Sequence, residues 1–383
     1  MTQKLRLAVS QSHTLSTTSA TLAALSTTTE QAAAKSIDLI LFPEAYLGGY
    51  PRTATFGAVV GARDSKGREQ FLHYYKDAVD LGDTPEGAGR KWVNKELEAR
   101  DDGKRGDGTR EELERIARDT GVFIVTGLVE RCGGSLYCGV VYVCPKFGMI
   151  GKRRKVMPRK AHMGSRTTFI IKSGYNYDQR CETYACGCDM LGNYMPLLRQ
   201  SLYSQNVNLY LAPTADAKDT WLPLMRTIAC EGRCVVLSAN QCMKRSDLPS
   251  WITGNTKEDG AIEDGHTDGY GHVQSNKSRR KSILTDDGCE IALPQRIEGI
   301  PETAEAPKKN ASDFVCGGGS CVISPLGDVL AGPIWDDDNG LLSVDIDFED
   351  CLRGRLDLDV GGSYSRNDAF KLTVEGLDLS PPP

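Results

Sequence analysis

Residues 37–51, IDLILFPEAYLGGYP, decide the fold that we predict for this chain. The first six of them, Ile37–Phe42, form an apolar run that ends at a proline, which predicts a strand with both faces covered by helices. Glu44 follows at the carboxyl end of this strand, where α/β folds build active sites. The Gly48-Gly49 pair would let the backbone approach a small ligand closely. The competing interpretation is a turn that carries a solvated glutamate.

Strands and helices alternate on both sides of this stretch, which predicts an α/β fold. Further strands are predicted at 4–10, 122–129, 136–144, 207–212 and 234–239, and helices at 17–35, 109–120 and 222–231. We expect Thr109 to cap the second helix, with Glu112 completing a capping box. Residues 315–323 and 340–346 are expected to pair as a late hairpin with its turn at 325–328.

Two strongly polar segments interrupt this alternation, at residues 62–108 and 243–312. The first carries many charges and glycines, and the second has almost no hydrophobic periodicity, so we interpret both as surface insertions. The chain is therefore predicted to form a single domain over residues 4–375. A disordered tail is expected at 376–383, which ends in three prolines.

The composition excludes several classes of function. The net charge of −5 gives no sign of the basic face that nucleic-acid binding needs. No apolar run reaches the roughly 18 residues of a membrane span, and the N-terminus lacks an apolar signal region, so we expect a cytoplasmic protein. The 13 cysteines are then expected to be mostly buried thiols without a disulfide framework. The five histidines form no HExxH pair, which argues against a histidine-based zinc site.

A basic run and three later blocks complete the set of notable residues. The run Gly151–Pro158, GKRRKVMP, is of a kind that is usually a solvated face, but it follows a strand pair, so one lysine could point inward. A lysine near a carboxylate is a plausible oxyanion partner. The later blocks are NYMPLLR at 193–199, APTAD at 212–216 and ACEGR at 229–233.

In this order and spacing the blocks resemble the nitrilase superfamily of carbon–nitrogen hydrolases, in its branch of nitrilases and cyanide hydratases. The family's FPEA and GGYP motif matches residues 42–51, and its RK-x-MP motif matches residues 154–158. The resemblance implies a four-layer αββα sandwich. It also implies that Glu44 is the general base and that Lys155 stabilises the negative charge of the intermediate.

The same resemblance implies the reaction. A cysteine attacks the carbon of a small nitrile to give a thioimidate, and water then releases the carboxylic acid and ammonia. Cyanide hydration to formamide is the alternative within the family. The resemblance implies neither a metal nor an organic cofactor, and it implies a homo-oligomer, either a dimer or a spiral.

The family pattern fails between Pro158 and Asn193. Where the family carries Cys-Trp-Glu, this chain has Met190, Leu191 and Gly192, so a methionine occupies the position of the nucleophile. The family's second glutamate is missing from residues 159–164, RKAHMG. Residues 180–189, RCETYACGCD, are polar and do not predict the apolar strand that precedes the family's cysteine.

Two explanations keep the sequence as it stands. In the first, Cys181, Cys186 and Cys188 are metal ligands, but their spacing matches no common zinc pattern and no fourth ligand is evident. In the second, Cys188 is a displaced nucleophile. Two residues along a strand correspond to roughly 6–7 Å, which exceeds the tolerance of catalytic geometry.

The third explanation is a shifted reading frame over residues 159–192, and the genetic code favours it. When the first base of each codon is dropped, Met163 followed by glycine becomes tryptophan, and Met190 followed by leucine becomes cysteine. The remaining codons permit Glu-Arg-Leu-Ile-Trp-Gly at 159–164 and Cys-Trp-Glu immediately before Asn193. Either a sequence error or a decayed gene would produce this pattern.

These observations predict a nitrilase in the intact form and an inactive protein in the chain as written. Methionine cannot form the thiolate that the reaction needs, and loss of the nucleophile removes most of the rate enhancement. The alternative from another class is a catalytically dead homologue that acts only as a subunit or scaffold.

Overall fold

A computed structural model describes most of the chain. The described residues are 4–59, 62–99, 101, 103, 105–155, 171–172, 183–186, 193–216, 218–252, 282–284, 290–292, 313–366 and 368–373. Met190, Cys181, Cys188, the predicted tail and most of the predicted insertion at 243–312 lie outside them.

Helices and strands alternate along the chain, as the sequence predicts. The strands are β1 (Lys4–Gln11), β2 (Leu39–Leu41), β3 (Ala58–Val59), β4 (Ala62–Arg63), β5 (Phe123–Cys132), β6 (Ser135–Cys144), β7 (Gly148–Arg154), β8 (Ile171–Lys172), β9 (Thr183–Cys186), β10 (Leu209–Leu211), β11 (Val235–Ser238), β12 (Cys242–Lys244), β13 (Ser282–Leu284), β14 (Glu290–Ala292), β15 (Phe314–Ile323), β16 (Val329–Trp335) and β17 (Gly340–Asp347). The helices are α1 (Thr18–Ala34), α2 (Ser65–Asp77), α3 (Arg90–Val93), α4 (Thr109–Thr120), α5 (Pro196–Tyr203), α6 (Trp221–Gly232) and α7 (Glu349–Gly354), with a 3-10 turn at Arg245–Asp247.

Two large sheets organise these elements. The first has six strands in the order β17-β1-β2-β5-β6-β7, and the second has the order β12-β15-β11-β10-β9-β8 with β16 beside β15. The central strands β1, β2 and β5 are parallel, as are β9, β10 and β11. Parallel pairs need crossover connections, and α1 and α6 supply two of them.

Three apolar clusters show that the sheets and helices form four layers. Between the sheets, Leu41 and Val125 of the first sheet pack in one cluster with Leu211 and Leu237 of the second. The outer face of the first sheet packs against α1 and α4, and that of the second packs against α5 and α6. The strand at 39–41 is buried on both faces, which explains its uninterrupted apolar residues. The predicted αββα sandwich is therefore confirmed.

The predicted late hairpin is wrong in its pairing. Strand β15 pairs antiparallel with β16 across the turn, where Ser324 N donates to Asp328 O over 2.8 Å. Strand β17 instead pairs with β1 along its whole length in the other sheet. The sequence analysis missed β16 because Gly332 and Pro333 interrupt it, and both residues are depleted in strands.

Three local predictions also need correction. The N-cap of α4 is Gly108 and not Thr109, and Asp107 Oδ1 accepts the Thr109 amide over 3.0 Å. The polar segment at 62–108 contains α2 and α3 and the buried side chain of Trp92. Residues 183–186 form β9 beside β10, although their sequence predicts no strand. At residues 183–186, pairing with the distant strand β10 outweighs local propensity.

Among the described residues, no helix is long and apolar enough to cross a membrane.

Candidate active site

Glu44 is held just beyond the end of β2 by the neighbouring strand β5. The Gly127 amide donates to Pro43 O over 3.1 Å, and the Gly127 carbonyl accepts the Leu47 amide over 3.2 Å. Glu44 is only 4% exposed. The competing interpretation of Glu44 as a solvated turn residue is therefore wrong, because the fold buries this carboxylate.

The close approach of Glu44 to β5 depends on the glycine at position 127. A Cβ atom on Gly127 would lie 2.3 Å from Pro43 O and 2.6 Å from Glu44 Cα. Both distances are far inside van der Waals contact, and backbone cannot move aside as a flexible side chain can. Gly127 therefore fixes where the Glu44 carboxylate stands.

Lys155 points at this carboxylate from the end of β7. Its Nζ lies 2.9 Å from Glu44 Oε1, and its side chain is 11% exposed. The Lys155 amide donates to the carbonyl of Cys138 over 2.7 Å, which extends the pairing of β7 with β6 by one residue. The strand pair therefore orients the lysine, and the structure brings together the two residues that the sequence singled out.

A thiol that the sequence analysis did not single out completes the group. Cys138 Sγ lies 3.4 Å from Glu44 Oε1, the same oxygen that accepts from Lys155. The other oxygen, Glu44 Oε2, is buried and has no hydrogen-bond partner among the residues that the structure describes. A buried carboxylate oxygen is costly to leave unsatisfied, so this atom indicates a place for a ligand or a transferred proton.

Other polar groups surround Glu44. Gln241 Nε2 donates to the Glu44 main-chain carbonyl over 2.7 Å, which ties the site to the second sheet. Burial raises the pKa of Tyr50, and the negative charge of Glu44 raises it further. Burial likewise holds the pKa of Tyr74 well above its ordinary value, with a smaller contribution from Cys138. Both phenols therefore stay neutral at pH 7 and can donate hydrogen bonds.

The opposite face of β7 carries a separate buried ion network. Lys152 Nζ contacts Glu130 Oε1 and lies 2.7 Å from Asp83 Oδ2, while Arg154 Nε donates to Glu130 Oε2 over 2.7 Å. Lys152 also stands 4.5 Å from the centre of the Trp92 ring. Two cations and two carboxylates balance within this network, and alternation along the strand keeps it apart from Lys155.

Burial and charge act in opposite directions on this network. Burial raises the pKa of Asp83, but the nearby Lys152 more than compensates, so the pKa lies below its ordinary value. Burial likewise lowers the pKa of Arg154, and the hydrogen bond and charge of Glu130 raise it further than burial lowers it. Asp83 and Arg154 therefore stay ionised at neutral pH.

A cavity of about 500 Å³ opens beside the site. Its aromatic lining includes Tyr50, Tyr74 and Trp251, and Gly48 and Gly49 form part of its wall. Glu44, Cys138 and Lys155 are not among the described residues that line it, and the cavity is next to them because Gly48, Gly49 and Tyr50 follow Glu44 closely in the chain. The cavity has room for a small organic molecule with an aromatic group.

One group of described residues could hold a cation, and it lies on the far rim of this cavity. Ligand atoms of His13, Asp247 and Asp338 lie within 4.8 Å of one another. However, the Lys244 ammonium is 2.6 Å from Asp338 Oδ2 and already neutralises that carboxylate. The chemistry of this group therefore favours an internal ion pair over a metal.

Three comparisons place these features among known proteins. Residues 6–355 match the family described as carbon–nitrogen hydrolase. The chain is 34% identical over 350 residues to an arylacetonitrilase of Trametes versicolor, covering 88% of this chain and 85% of that enzyme. It is 33% identical over 353 residues to a nitrilase of Bradyrhizobium diazoefficiens, covering 90% of this chain and 84% of that one.

Solved structures agree on the fold. The chain superposes on the crystal structure of an amidase from Nesterenkonia sp. with a TM-score of 0.51 and 16% sequence identity. The superposition covers 92% of this chain and 94% of the amidase. At this identity the likeness concerns the fold alone.

Proposed function

Because this chain belongs to the carbon–nitrogen hydrolase family of the nitrilase superfamily, we propose that its intact form hydrolyses a nitrile to a carboxylic acid and ammonia. The observation that carries this proposal is the buried Glu44 carboxylate, which accepts from Lys155 with one oxygen, while the other has no hydrogen-bond partner in the described part of the chain. A base of this kind, in a site that excludes water, suits proton transfer from a thiol and later from water.

Each residue has a distinct task in the proposed reaction. Glu44 takes the proton of the attacking thiol and returns it to the nitrile nitrogen, so that the thioimidate forms. Glu44 then activates one water, which adds to the thioimidate so that ammonia leaves and a thioester remains. It activates a second water, which hydrolyses the thioester to the acid and frees the thiol. The Lys155 ammonium stabilises the negative charge that develops on the substrate nitrogen, and its fixed position avoids reorganisation during the reaction.

The nucleophile is the residue that this chain lacks. Position 190 is methionine, and a thioether cannot be deprotonated to attack a nitrile. We therefore propose that residues 159–192 derive from a shifted reading frame and that the chain as written is inactive. The nucleotide sequence of the transcript over codons 150–200 tests this directly, since a continuous frame encoding Cys-Trp-Glu before Asn193 is the expected result.

The cavity supports a substrate class. A lining that includes Tyr50, Tyr74 and Trp251 would bury an aromatic ring with favourable edge and face contacts. Cyanide is too small to use such a lining, so we favour an arylaliphatic nitrile over cyanide hydration. The similarity to an arylacetonitrilase supports the same choice.

The decisive experiment compares two chains. The first is the chain as written, and the second, called here the restored chain, carries the shifted-frame residues over 159–192, including Met190→Cys, Leu191→Trp and Gly192→Glu. We expect ammonia release from phenylacetonitrile by the restored chain only, with slower turnover of acetonitrile and of cyanide. Turnover by the chain as written would contradict the proposed role of a cysteine at position 190.

A scaffold function is the second candidate, and the loss of the nucleophile is the observation that favours it. A continuous transcript that encodes the residues as written would make it the leading interpretation. For either function we propose a single domain over residues 4–375, a cytoplasmic location and a homo-oligomer. Size-exclusion chromatography with light scattering tests the last of these.

A further inference from the structure

The described cysteines differ in their access to solvent. Among the nine cysteines whose side chains the structure describes, seven are buried, and Cys138 and Cys230 are partly exposed. Burial raises the pKa of Cys242 and of Cys321 to about 12, and it raises the pKa of Cys234 well above the ordinary value. Such thiols stay protonated and react slowly, so the comparison of interest is between the two exposed ones.

The two exposed thiols have different hydrogen-bond partners. Cys138 Sγ lies 3.4 Å from the carboxylate oxygen of Glu44, whereas Cys230 Sγ lies 3.4 Å from the main-chain carbonyl of Leu326. A carboxylate can accept the thiol proton, but a peptide carbonyl cannot do so at neutral pH. The geometry therefore provides a proton acceptor for Cys138 alone of the pair.

The same carboxylate shows a second and independent sign of a reactive place. Glu44 is 4% exposed, and its Oε2 has no hydrogen-bond partner among the described residues. The carboxylate beside the thiol therefore has a buried oxygen that can still accept a proton or a hydrogen bond, and leaving such an atom unsatisfied is unfavourable. The Lys155 ammonium, 2.9 Å from Oε1, adds the positive charge that stabilises a nearby thiolate.

We propose that Cys138 is a covalent modification site for small, uncharged electrophiles, with Glu44 as the base that activates its thiol. With an α-haloacetamide, the Cys138 sulfur forms a bond to the methylene carbon, the carbon–halogen bond breaks and halide leaves. The thiol proton passes to Glu44 and from there to water. The adduct would stand against Glu44 and Lys155, so its formation blocks the site in any chain, whatever residue occupies position 190.

A small and uncharged reagent fits the surroundings of the thiol. Cys138 is only partly exposed, so a small reagent reaches its sulfur more readily than a large one does. An uncharged amide loses little hydration there, whereas a carboxylate reagent would meet the negative charge of Glu44.

The test uses the full chain as written, which makes it independent of nitrile hydrolysis. Limiting iodoacetamide is added at pH 7, and peptide mass spectrometry gives the rate of carbamidomethylation at Cys138 and at Cys230 in the same molecules. We expect Cys138 to react at least tenfold faster in the folded chain, and the two rates to converge in 8 M urea. Equal rates in the folded chain would overturn the proposal.

Two variants separate the base from simple exposure. Glu44→Gln keeps the shape of the side chain but removes the base, so it should slow Cys138 at least tenfold and leave Cys230 unchanged. Glu44→Asp retains a carboxylate, so its rate of modification at Cys138 should lie between the rates of the parent chain and of Glu44→Gln. An unchanged rate at Cys138 in folded Glu44→Gln, checked by circular dichroism, would assign its reactivity to exposure alone and would refute the role of Glu44.

Discussion

The two faces of β7 each bring a lysine to a buried glutamate, but the two glutamates have different neighbours. On one face Lys152 and Arg154 enclose Glu130 and Asp83, and each carboxylate contacts a cation. On the other face Lys155 contacts Glu44, whose second oxygen has no hydrogen-bond partner among the described residues. The two lysines are three residues apart and similarly buried, at 9% and 11% exposed.

The difference teaches what a buried ion pair can and cannot indicate. Burial of charges costs free energy, and a closed network recovers it through mutual contacts, so its removal chiefly affects folding. A buried carboxylate oxygen without a hydrogen-bond partner regains less of this free energy from the protein, and it is available to a reacting group. Lysine and glutamate in contact are therefore common to both faces, and so is a buried oxygen without a hydrogen-bond partner, since Asp83 Oδ2 also lacks one among the described residues. The candidate site differs in having one lysine and one thiol at its carboxylate, where the network has two cations.

The largest expected effect concerns catalysis in the restored chain. Glu44→Gln should lower kcat for phenylacetonitrile by about 10³-fold or more, because proton transfer to a positioned base contributes roughly 10²–10⁴-fold. Glu130→Gln, on the opposite face, should leave kcat per folded molecule within about threefold, since it touches no reacting atom. The rate of ammonia release at saturating substrate gives kcat for both variants. Equal losses of kcat would contradict the assignment of catalysis to the face of β7 that carries Lys155.

The order of the same two variants should be reversed for stability, with the larger loss in Glu130→Gln. Glu130→Gln leaves Lys152 and Arg154 with too little negative charge and should lower the free energy of unfolding by about 3 kcal/mol. Glu44→Gln should lower it by less, because it leaves one cation, Lys155, without its counter-charge, where Glu130→Gln affects two. Urea titrations of the two variants provide the comparison. A larger loss of unfolding free energy in Glu44→Gln would mean that the Lys155–Glu44 pair contributes more to stability than the network around Glu130 does.

Gly127→Ala tests how the position of Glu44 is set. The added methyl group would meet Pro43 O and Glu44 Cα, so we expect a loss of about 1–3 kcal/mol in the free energy of unfolding. A fall in kcat of the restored chain should accompany it as the carboxylate shifts. Gly134→Ala is the matched control, because nothing lies within 4 Å of a Cβ atom there. An unchanged kcat in Gly127→Ala would show that Glu44 does not depend on this contact.

The smallest effect is a dependence of stability on pH. The pKa of Asp83 is lower in the folded chain than its ordinary value, so the unfolded chain binds more protons in acid. The stability that Asp83 provides is therefore complete above that ordinary value, near pH 4, and is lost as the pH falls through the folded value. Asp83→Asn should flatten the acid side of a plot of the free energy of unfolding against pH. A slope unchanged from the parent chain would exclude this contribution.

Much of the fold could be predicted from local sequence. Apolar runs such as Ile37–Phe42 mark strands buried on both faces, and their alternation with helical segments indicates an α/β sandwich. Glu44 and Lys155 could also be singled out, because their motifs are continuous in sequence. Their roles remain predictions, and so does the effect of methionine at position 190.

What sequence could not predict are the contacts made across strands. Periodicity identifies a strand but not its partner, which is why β17 was assigned to a hairpin although it pairs with β1 in the other sheet. Cys138 lies more than 90 residues from Glu44, and only the order and register of β2, β5, β6 and β7 bring the two side chains together.

The sequence by itself determined which residues bear chemistry and which segments are buried, since those properties belong to side chains and to their local spacing. Only the tertiary structure decided that Gly127 stands against Glu44, that Lys152 and Lys155 face opposite sides, and that Glu44 Oε2 has no hydrogen-bond partner among the residues that the structure describes. The physical reason is that strand register converts residues distant in the chain into neighbours, and electrostatic and hydrogen-bond energies depend on those distances.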